Sequence, residues 1–298
     1  MRKHPVILGL VLLMVLCVVL YFFFYQAGLQ SGSARTQGFS LNDKIGVVPV
    51  EGVISDSQEI IEYLDEFGED GAIVAVVVRV DSPGGGVAAS QEIYDAIVAL
   101  KKKKKVVVSM GSVAASGGLM IACAGDKIVA NPGTITGSIS TIWHSANVEE
   151  LLKKVGVKST VVKSGRYKDI GSPVREMTPE EIAIIQELVD DVYNQFVDVI
   201  VRDRKLPREK VVAISDGRIF TGRKAKEYGL VDQLGNLAFA AKLAGDLAGR
   251  SGKYDLVYPQ KKHPSIFDYM FESAANQFAR SVKESAEKWQ GISYLYSP

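Results

Sequence analysis

Eight small residues, Gly111-Ser112-Val113-Ala114-Ala115-Ser116-Gly117-Gly118, follow directly on the apolar run Val106-Val107-Val108-Ser109-Met110. A short β-branched run of this kind reads as a buried strand. Leu119-Met120-Ile121-Ala122-Cys123-Ala124, beyond the small residues, reads as a helix. The stretch between is then a tight strand-to-helix turn, with Ser116 where the helix begins. Free backbone N–H groups gather at such a point and favour negative charge. Ser116 therefore has two readings. It is an N-cap whose hydroxyl closes the helix, or a nucleophile with anion-stabilising donors beside it.

A second glycine cluster lies upstream. Asp81-Ser82-Pro83-Gly84-Gly85-Gly86 follows the long apolar run Ala72–Val80, which suits a central parallel strand, and precedes a helical pattern from Ala88 to Leu100. Three glycines between strand and helix let the backbone approach another group closely and aim its N–H groups outward. That is equipment for an oxyanion hole, or simply a flexible turn. A phosphate-binding loop is excluded, because no Lys-Ser/Thr pair follows at the required spacing.

A third cluster, Ser164-Gly165-Arg166-Tyr167-Lys168-Asp169-Ile170-Gly171-Ser172-Pro173, follows an expected strand at Ser159–Lys163. A nucleophilic serine needs a base, and the chain has only His4, His144 and His263. His4 precedes an apolar run and His263 lies in a polar stretch, which leaves His144 as the one credible imidazole. A desolvated lysine can replace histidine, because burial favours its neutral amine. Composition does not say which lysine would do so.

The three clusters in order, with Ser109-Met-Gly-Ser-Val-Ala-Ala-Ser-Gly-Gly118 and Ser172-Pro-Val-Arg-Glu-Met-Thr178, resemble the signal peptide peptidase A family of membrane-anchored Ser-Lys peptidases. The resemblance spans Lys44 to Ala248. It implies an α/β fold of the Clp protease/crotonase-like type, a repeated β-β-α spiral, with an N-terminal transmembrane helix. It implies Ser116 as nucleophile, Lys168 as general base, and Gly85 and Gly117 as oxyanion-hole donors. Ser138, in Thr134-Ile-Thr-Gly-Ser138, matches a serine that holds the lysine in place. It further implies peptide substrates, chiefly signal-peptide remnants, no cofactor and no metal, and a ring-like homo-oligomer with an octamer as the expected size. In such a ring Ser116 of one subunit meets Lys168 of the next. Two departures stand out: Asp81 occupies a place where many relatives have asparagine, and the link Lys101–Lys105 is short and all lysine.

The N-terminus carries its own signal. Val6–Tyr25 is an unbroken apolar run of about 20 residues, long enough to span a bilayer core. Arg2, Lys3 and His4 precede it, which favours a cytoplasmic N-terminus and places the rest of the chain on the extracytoplasmic side. A cleaved signal peptide is the competing reading, but no small-x-small site follows directly. Gln26–Ser40, rich in Gly, Ser and Gln, reads as a linker. The expected organisation is an anchor over 1–27, a linker over 28–43, a peptidase domain over 44–250 and an amphipathic tail over 251–298.

The remaining composition narrows the class. Thirty-five Lys and Arg against 34 Asp and Glu leave a formal charge of +1, so no global basic field argues for nucleic acid. Two cysteines give no disulfide framework. The alternation of apolar runs with helical patterns argues a parallel sheet. Thr178-Pro179-Glu180-Glu181 is a capping box opening a helix to about Arg204, with Ile182, Ile185, Leu188, Val189, Val192, Phe196 and Val199 on one side. Arg218–Asp232 reads as strand, helix and return strand. Lys101–Lys105 reads as a solvated turn or an anionic-lipid contact. The tail helix expected over Ser265–Lys288 would pack on its own domain, a neighbouring subunit or the membrane. Three function classes remain: a peptidase acting on apolar peptides, a crotonase-like acyl-CoA enzyme sharing the oxyanion geometry, and a catalytically silent membrane scaffold.

Overall fold

The computed structural model describes residues 13–19, 21, 22 and 42–260, and the backbone of residues 292–295. Residues 13–19, 21 and 22 are helical and belong to a unit comprising residues 1–41. Most of the expected anchor and linker, and the expected tail helix, lie outside the described residues. Among those described, no helix is long and apolar enough to cross a membrane.

The unit from residue 42 onward carries the mixed α/β fold. Its first half runs β1 (Asp43–Glu51), α1 (Gln58–Glu69), β2 (Ile73–Ser82), β3 (Gly84–Gly86) and α2 (Val87–Leu100). β4 (Lys105–Ala115) passes into α3 (Gly117–Cys123) through one residue, and β5 (Lys127–Ala130), β6 (Ile135–Gly137) and β7 (Ile142–Trp143) follow. Then come α4 (Glu149–Lys154), the long α5 (Pro179–Arg204) and α6 (Arg208–Val212). β8 (Ile219–Thr221), α7 (Gly222–Glu227), β9 (Gln233–Leu234), α8 (Leu237–Leu247), β10 (Tyr254–Val257) and β11 (Ile292–Leu295) complete the order.

The β-branched runs form the middle of the larger sheet, in the order β10-β1-β2-β4-β5-β9 with all neighbours parallel. Val48 lies opposite Val78, and Val78 opposite Val108. Alternate side chains point to opposite faces. Val48, Val76, Val78, Val106 and Val108 face Leu64, Ile93, Ile97, Leu119 and Phe196. Val47, Ala75, Val77, Val107 and Val129 face Ala240, Ala241 and Ala244 of α8. Burial on both faces is why these strands read as continuous apolar runs rather than as alternation. Each valine so enclosed contributes roughly 1.5–3 kcal/mol relative to exposure.

The parallel pattern is broken at one end. β6 pairs with the last residues of β4, and β8 pairs antiparallel with β6. A second, three-stranded sheet sets β11 antiparallel between β3 and β7.

Several local expectations change. β4 continues through the small residues to Ala115 instead of turning at Gly111. Its pairing with β2 shifts register between Val80 and Ser82, and the Asp81 carboxylate accepts a hydrogen bond from the Val113 N–H at 3.0 Å, which stabilises the irregularity. Ser159–Lys163 is irregular rather than a strand, for it pairs with no strand among the described residues. The return strand falls at Gln233–Leu234. The capping box of α5 is present as expected. However, the buried residues of α5 lie mostly in its second half, at Val192, Phe196, Val197, Val199 and Ile200, whereas Ile182 and Leu188 are exposed.

Candidate active site

Ser116 sits alone between β4 and α3 with φ 55° and ψ −119°. A positive φ is strained for any residue with a Cβ, and such strain concentrates at functional sites. The residue is held from both sides. Its N–H donates to the Gly137 carbonyl at 2.8 Å, and its carbonyl accepts from the Met120 N–H at 3.0 Å. Its hydroxyl makes no capping bond to α3. That removes the N-cap reading. Ser116 is 1% exposed, and its Oγ is a buried polar atom without a hydrogen-bond partner among the described residues. Thr141 Oγ1 and Trp143 Nε1, on the same stretch as β7, are the other such atoms. An unpartnered buried hydroxyl is costly and rare, and it marks a site awaiting a partner.

The triple glycine is a strand, not a loop. The Ser82 Oγ accepts from the Gly84 N–H at 3.0 Å. The Ile54 carbonyl accepts from the Gly86 N–H at 2.7 Å, and the Ile54 N–H donates to the Gly84 carbonyl at 2.9 Å. Because strand residues alternate, the N–H and C=O of Gly85 point away from Ile54. A Cβ on Gly85 would lie 2.1 Å from the Ile54 carbonyl oxygen, so only glycine fits. Gly117 is equally confined. A Cβ there would lie 2.5 Å from the Ser90 Oγ and 3.4 Å from the Gly85 nitrogen. The structure thus brings Ser116, Gly117 and Gly85 together.

Ser138 adjoins the same point. It too has a positive φ, 52°, and its N–H donates to the Arg218 carbonyl at 2.8 Å. It follows Gly137, the residue that binds the Ser116 N–H.

Lys168 is not brought to Ser116 within one chain. It lies exposed in the turn between Ser164 and Ser172, its N–H donating to the Gly165 carbonyl at 3.2 Å. Its ammonium makes no ion pair among the described residues. His144 is also exposed, and the partnerless Ser116 Oγ is not bonded to it.

A charged network, which sequence reading missed, anchors the lysine turn. Asp169 pairs with Lys163 and accepts from Arg175 Nε at 2.8 Å. Arg175 also donates to the Asp169 carbonyl at 3.2 Å and forks onto Glu181, at 2.7 and 2.5 Å. Glu181 is the buried member of the capping box. It accepts from the Thr178 N–H at 2.9 Å while its own N–H donates to Thr178 Oγ1 at 3.2 Å. The Arg175 guanidinium holds the Glu181 carboxyl down to about 2, and Arg175 with Lys163 holds that of Asp169 well below the usual range. The sequence signal was the spacing of Asp169, Arg175 and Glu181 at six-residue intervals around the α5 cap.

Among the described residues no cluster of His, Cys, Asp or Glu is placed to hold a metal. Cys123 is buried in the core, where desolvation pushes its thiol up to about 12.

The profile of Peptidase family S49 matches residues 98–250, from the end of α2 through Ser116 and Lys168 to the end of α8. The chain belongs to peptidase family S49. The Clp protease profile matches residues 50–134 of this S49 peptidase, which include the triple glycine and Ser116. A Synechocystis sp. protein named as a candidate protease, slr0021, is 48% identical over 70% of this chain and 76% of its own. MJ0651 of Methanocaldococcus jannaschii, named likewise, is 35% identical over 77% and 73%. A candidate signal peptide peptidase SppA of Enterococcus faecium is 38% identical over 65% and 60%. The S49 peptidase therefore spans about three quarters of two of these relatives and a smaller share of the third. It is a serine peptidase of the SppA type.

Proposed function

We propose that this peptidase cleaves extended, apolar, unfolded peptides with Ser116 as nucleophile and Lys168 as general base. The observation that carries the reading is the buried Ser116 hydroxyl, partnerless and fixed by a strained backbone beside the Gly85 and Gly117 peptide groups. In the reaction, Ser116 Oγ attacks the peptide carbonyl as its proton passes to a neutral lysine amine. The tetrahedral oxyanion is stabilised by the Gly85 and Gly117 N–H groups, at roughly 3–4 kcal/mol per donor. The C–N bond then breaks, the lysine returns the proton to the leaving amine, and water resolves the acyl-enzyme by the same route in reverse. Ser138 steadies the base.

The base would come from a neighbouring copy in a ring. Three features support this: the Ser116 Oγ without a hydrogen-bond partner among the described residues, the exposure of Lys168, and the exposed apolar side chains in the same part of the sequence. Val162 is 96% exposed, and Leu151, Val155, Val161, Ile182 and Leu188 are exposed too. Apolar surface on this scale marks an association face, and Val161–Val162 has a strand-forming sequence without a strand. The spiral of β-β-α repeats is supported by the Clp protease match.

The apolar run at Val6–Tyr25 supports a membrane tether with the domains ordered as anchor, linker, peptidase and tail, and with catalysis on the extracytoplasmic side. There the enzyme would meet signal-peptide remnants at high effective concentration.

The test is subunit mixing. Ser116→Ala and Lys168→Ala chains, each inactive alone, should regain part of the activity in mixed rings. No recovery despite proven mixing would place the site within one chain. Labelling of Ser116 by a serine-directed phosphonate separates a peptidase from an acyl-CoA enzyme or a silent scaffold.

A further inference from the structure

The buried stripe of α2 runs through Ser90, Ile93, Tyr94, Ile97 and Leu100, and its first member is a small polar residue. Ser90 is 0% exposed. Nothing in the helix calls for a serine there. Alanine fills almost the same space and favours the helix more. A hydroxyl so completely removed from water needs a partner, and Ser90 Oγ donates to the Gly86 carbonyl at 2.9 Å.

The same oxygen touches the other side of the site. A Cβ built on Gly117 would fall 2.5 Å from Ser90 Oγ, 3.3 Å from the Gly84 Cα and 3.4 Å from the Gly85 nitrogen. The Ser90 hydroxyl is therefore wedged between Gly86, at the end of β3, and Gly117, at the start of α3. The Ile54 bonds fix the register of β3. They do not fix its distance from α3, for no backbone hydrogen bond joins β3 to Gly117 among the described residues. That distance is left to packing, and Ser90 Oγ is the atom nearest to the gap.

We infer that Ser90 is a positioning residue of the oxyanion hole, whose hydroxyl sets the separation between the Gly85 and Gly117 peptide groups. The inference rests on the proposed role of those two N–H groups and names a further residue that controls them. Two donors serve one oxyanion only when each lies about 2.7–3.1 Å from it. Deleting the hydroxyl releases the Gly86 carbonyl and leaves a void one atom wide, into which its walls relax only in part. The two donors then no longer converge on one point. The loss falls on the transition state, because a ground-state carbonyl asks less of these donors than the oxyanion does.

The experiment uses full chains, a fluorogenic apolar peptide as substrate and a tripeptide boronic acid as second probe. Boron accepts the electron pair of Ser116 Oγ and becomes tetrahedral, which places an oxygen where the oxyanion forms. Ser90→Ala should lower kcat about 10- to 100-fold with KM unchanged, as expected when a charge-stabilising group is misplaced. Boronate inhibition should weaken by a similar factor. The melting temperature should not fall, because alanine suits the helix. Ser90→Thr, whose hydroxyl reaches the same carbonyl, should recover most of the lost rate. A Ser90→Ala enzyme within about twofold of native kcat overturns the inference. So does a loss of kcat that leaves boronate inhibition unchanged, or one that comes with a raised KM and a lower melting temperature, since either is a purely structural effect. Ser116→Ala tests the reading beneath it. If that chain still cleaves the peptide, the oxyanion assignment falls and the inference with it. An inactive Ser116→Ala beside a fully active Ser90→Ala removes Ser90 alone.

Discussion

The N–H of Ser116 donates to the carbonyl of Gly137, 2.8 Å away. The residue read as nucleophile is thereby tied, at the end of the β4–β6 ladder, to the residue that precedes Ser138, read as the support of its base. Two neighbouring residues with positive φ, each fixed by the backbone, give the site its geometry before any side-chain contact is made.

Strain at Ser116 makes a paradoxical substitution testable. Ser116→Gly should abolish peptide cleavage and yet stabilise the fold. Relief of an unfavourable φ is worth about 1–3 kcal/mol and outweighs the roughly 0.5–1 kcal/mol that glycine loses in the unfolded chain. Ser116→Ala should be equally inactive, and it should lack the part of the gain that comes from relieved φ, since both variants remove the unpartnered hydroxyl. Denaturant unfolding of the three proteins distinguishes these outcomes, and a glycine variant no more stable than alanine would count against strain.

Gly85→Ala should damage both function and fold. Its Cβ would press on the Ile54 carbonyl at 2.1 Å, and β3 must move away from Ile54 to relieve it. The two Ile54 hydrogen bonds would weaken at about 1 kcal/mol each. Loss of a placed oxyanion donor should lower kcat by at least about 100-fold. Retention of kcat within tenfold would remove Gly85 from the oxyanion hole.

The Arg175 network should carry stability that depends on pH. The folded-state pKa of Glu181 lies near 2 against a reference of 4.5. A carboxylate depressed in this way contributes its stability above the reference value and loses it as pH falls through the folded value. Wild type should therefore be more stable than Arg175→Gln at pH 6, and the difference should shrink progressively between about pH 4.5 and 2. Melting temperatures of both proteins across that range provide the measurement. A constant difference would mean that the pair is not what Arg175 contributes.

The same network should position the base. Arg175→Ala frees the Lys168 turn from the α5 cap, and kcat should fall about 10- to 100-fold with little change in KM, as expected when an oriented group is loosened. Arg175→Lys restores the charge but not the fork, so it should recover stability better than rate. A pure rise in KM would instead assign the turn to substrate binding.

Much of this was legible in the sequence because the strongest signals are local. Valine runs predicted the central strands, and Thr178-Pro179-Glu180-Glu181 predicted the start of α5. What was not legible depends on distant partners. Gly84–Gly86 has no strand propensity of its own and is a strand because Ile54 and β11 flank it. Gly111–Ala115 stays extended because Asp81 and β6 hold it. Ser159–Lys163 has the residues of a strand and lacks a ladder among the described residues. The proximity of Ser116 to Gly85 was inferred from resemblance, and the packing of Gly117 against Gly85 supplies its physical basis.

The donors proposed for the oxyanion, at Gly85 and Gly117, are peptide groups, so no rotamer change can misdirect them. Their aim is a matter of register. Slipping β3 by one residue against Ile54 would turn the Gly85 N–H toward Ile54 and away from the site. Ile54, which touches no reacting atom, is in that sense the alignment mark of the site, and its two backbone bonds set a tolerance for error that no side chain near Ser116 could reset.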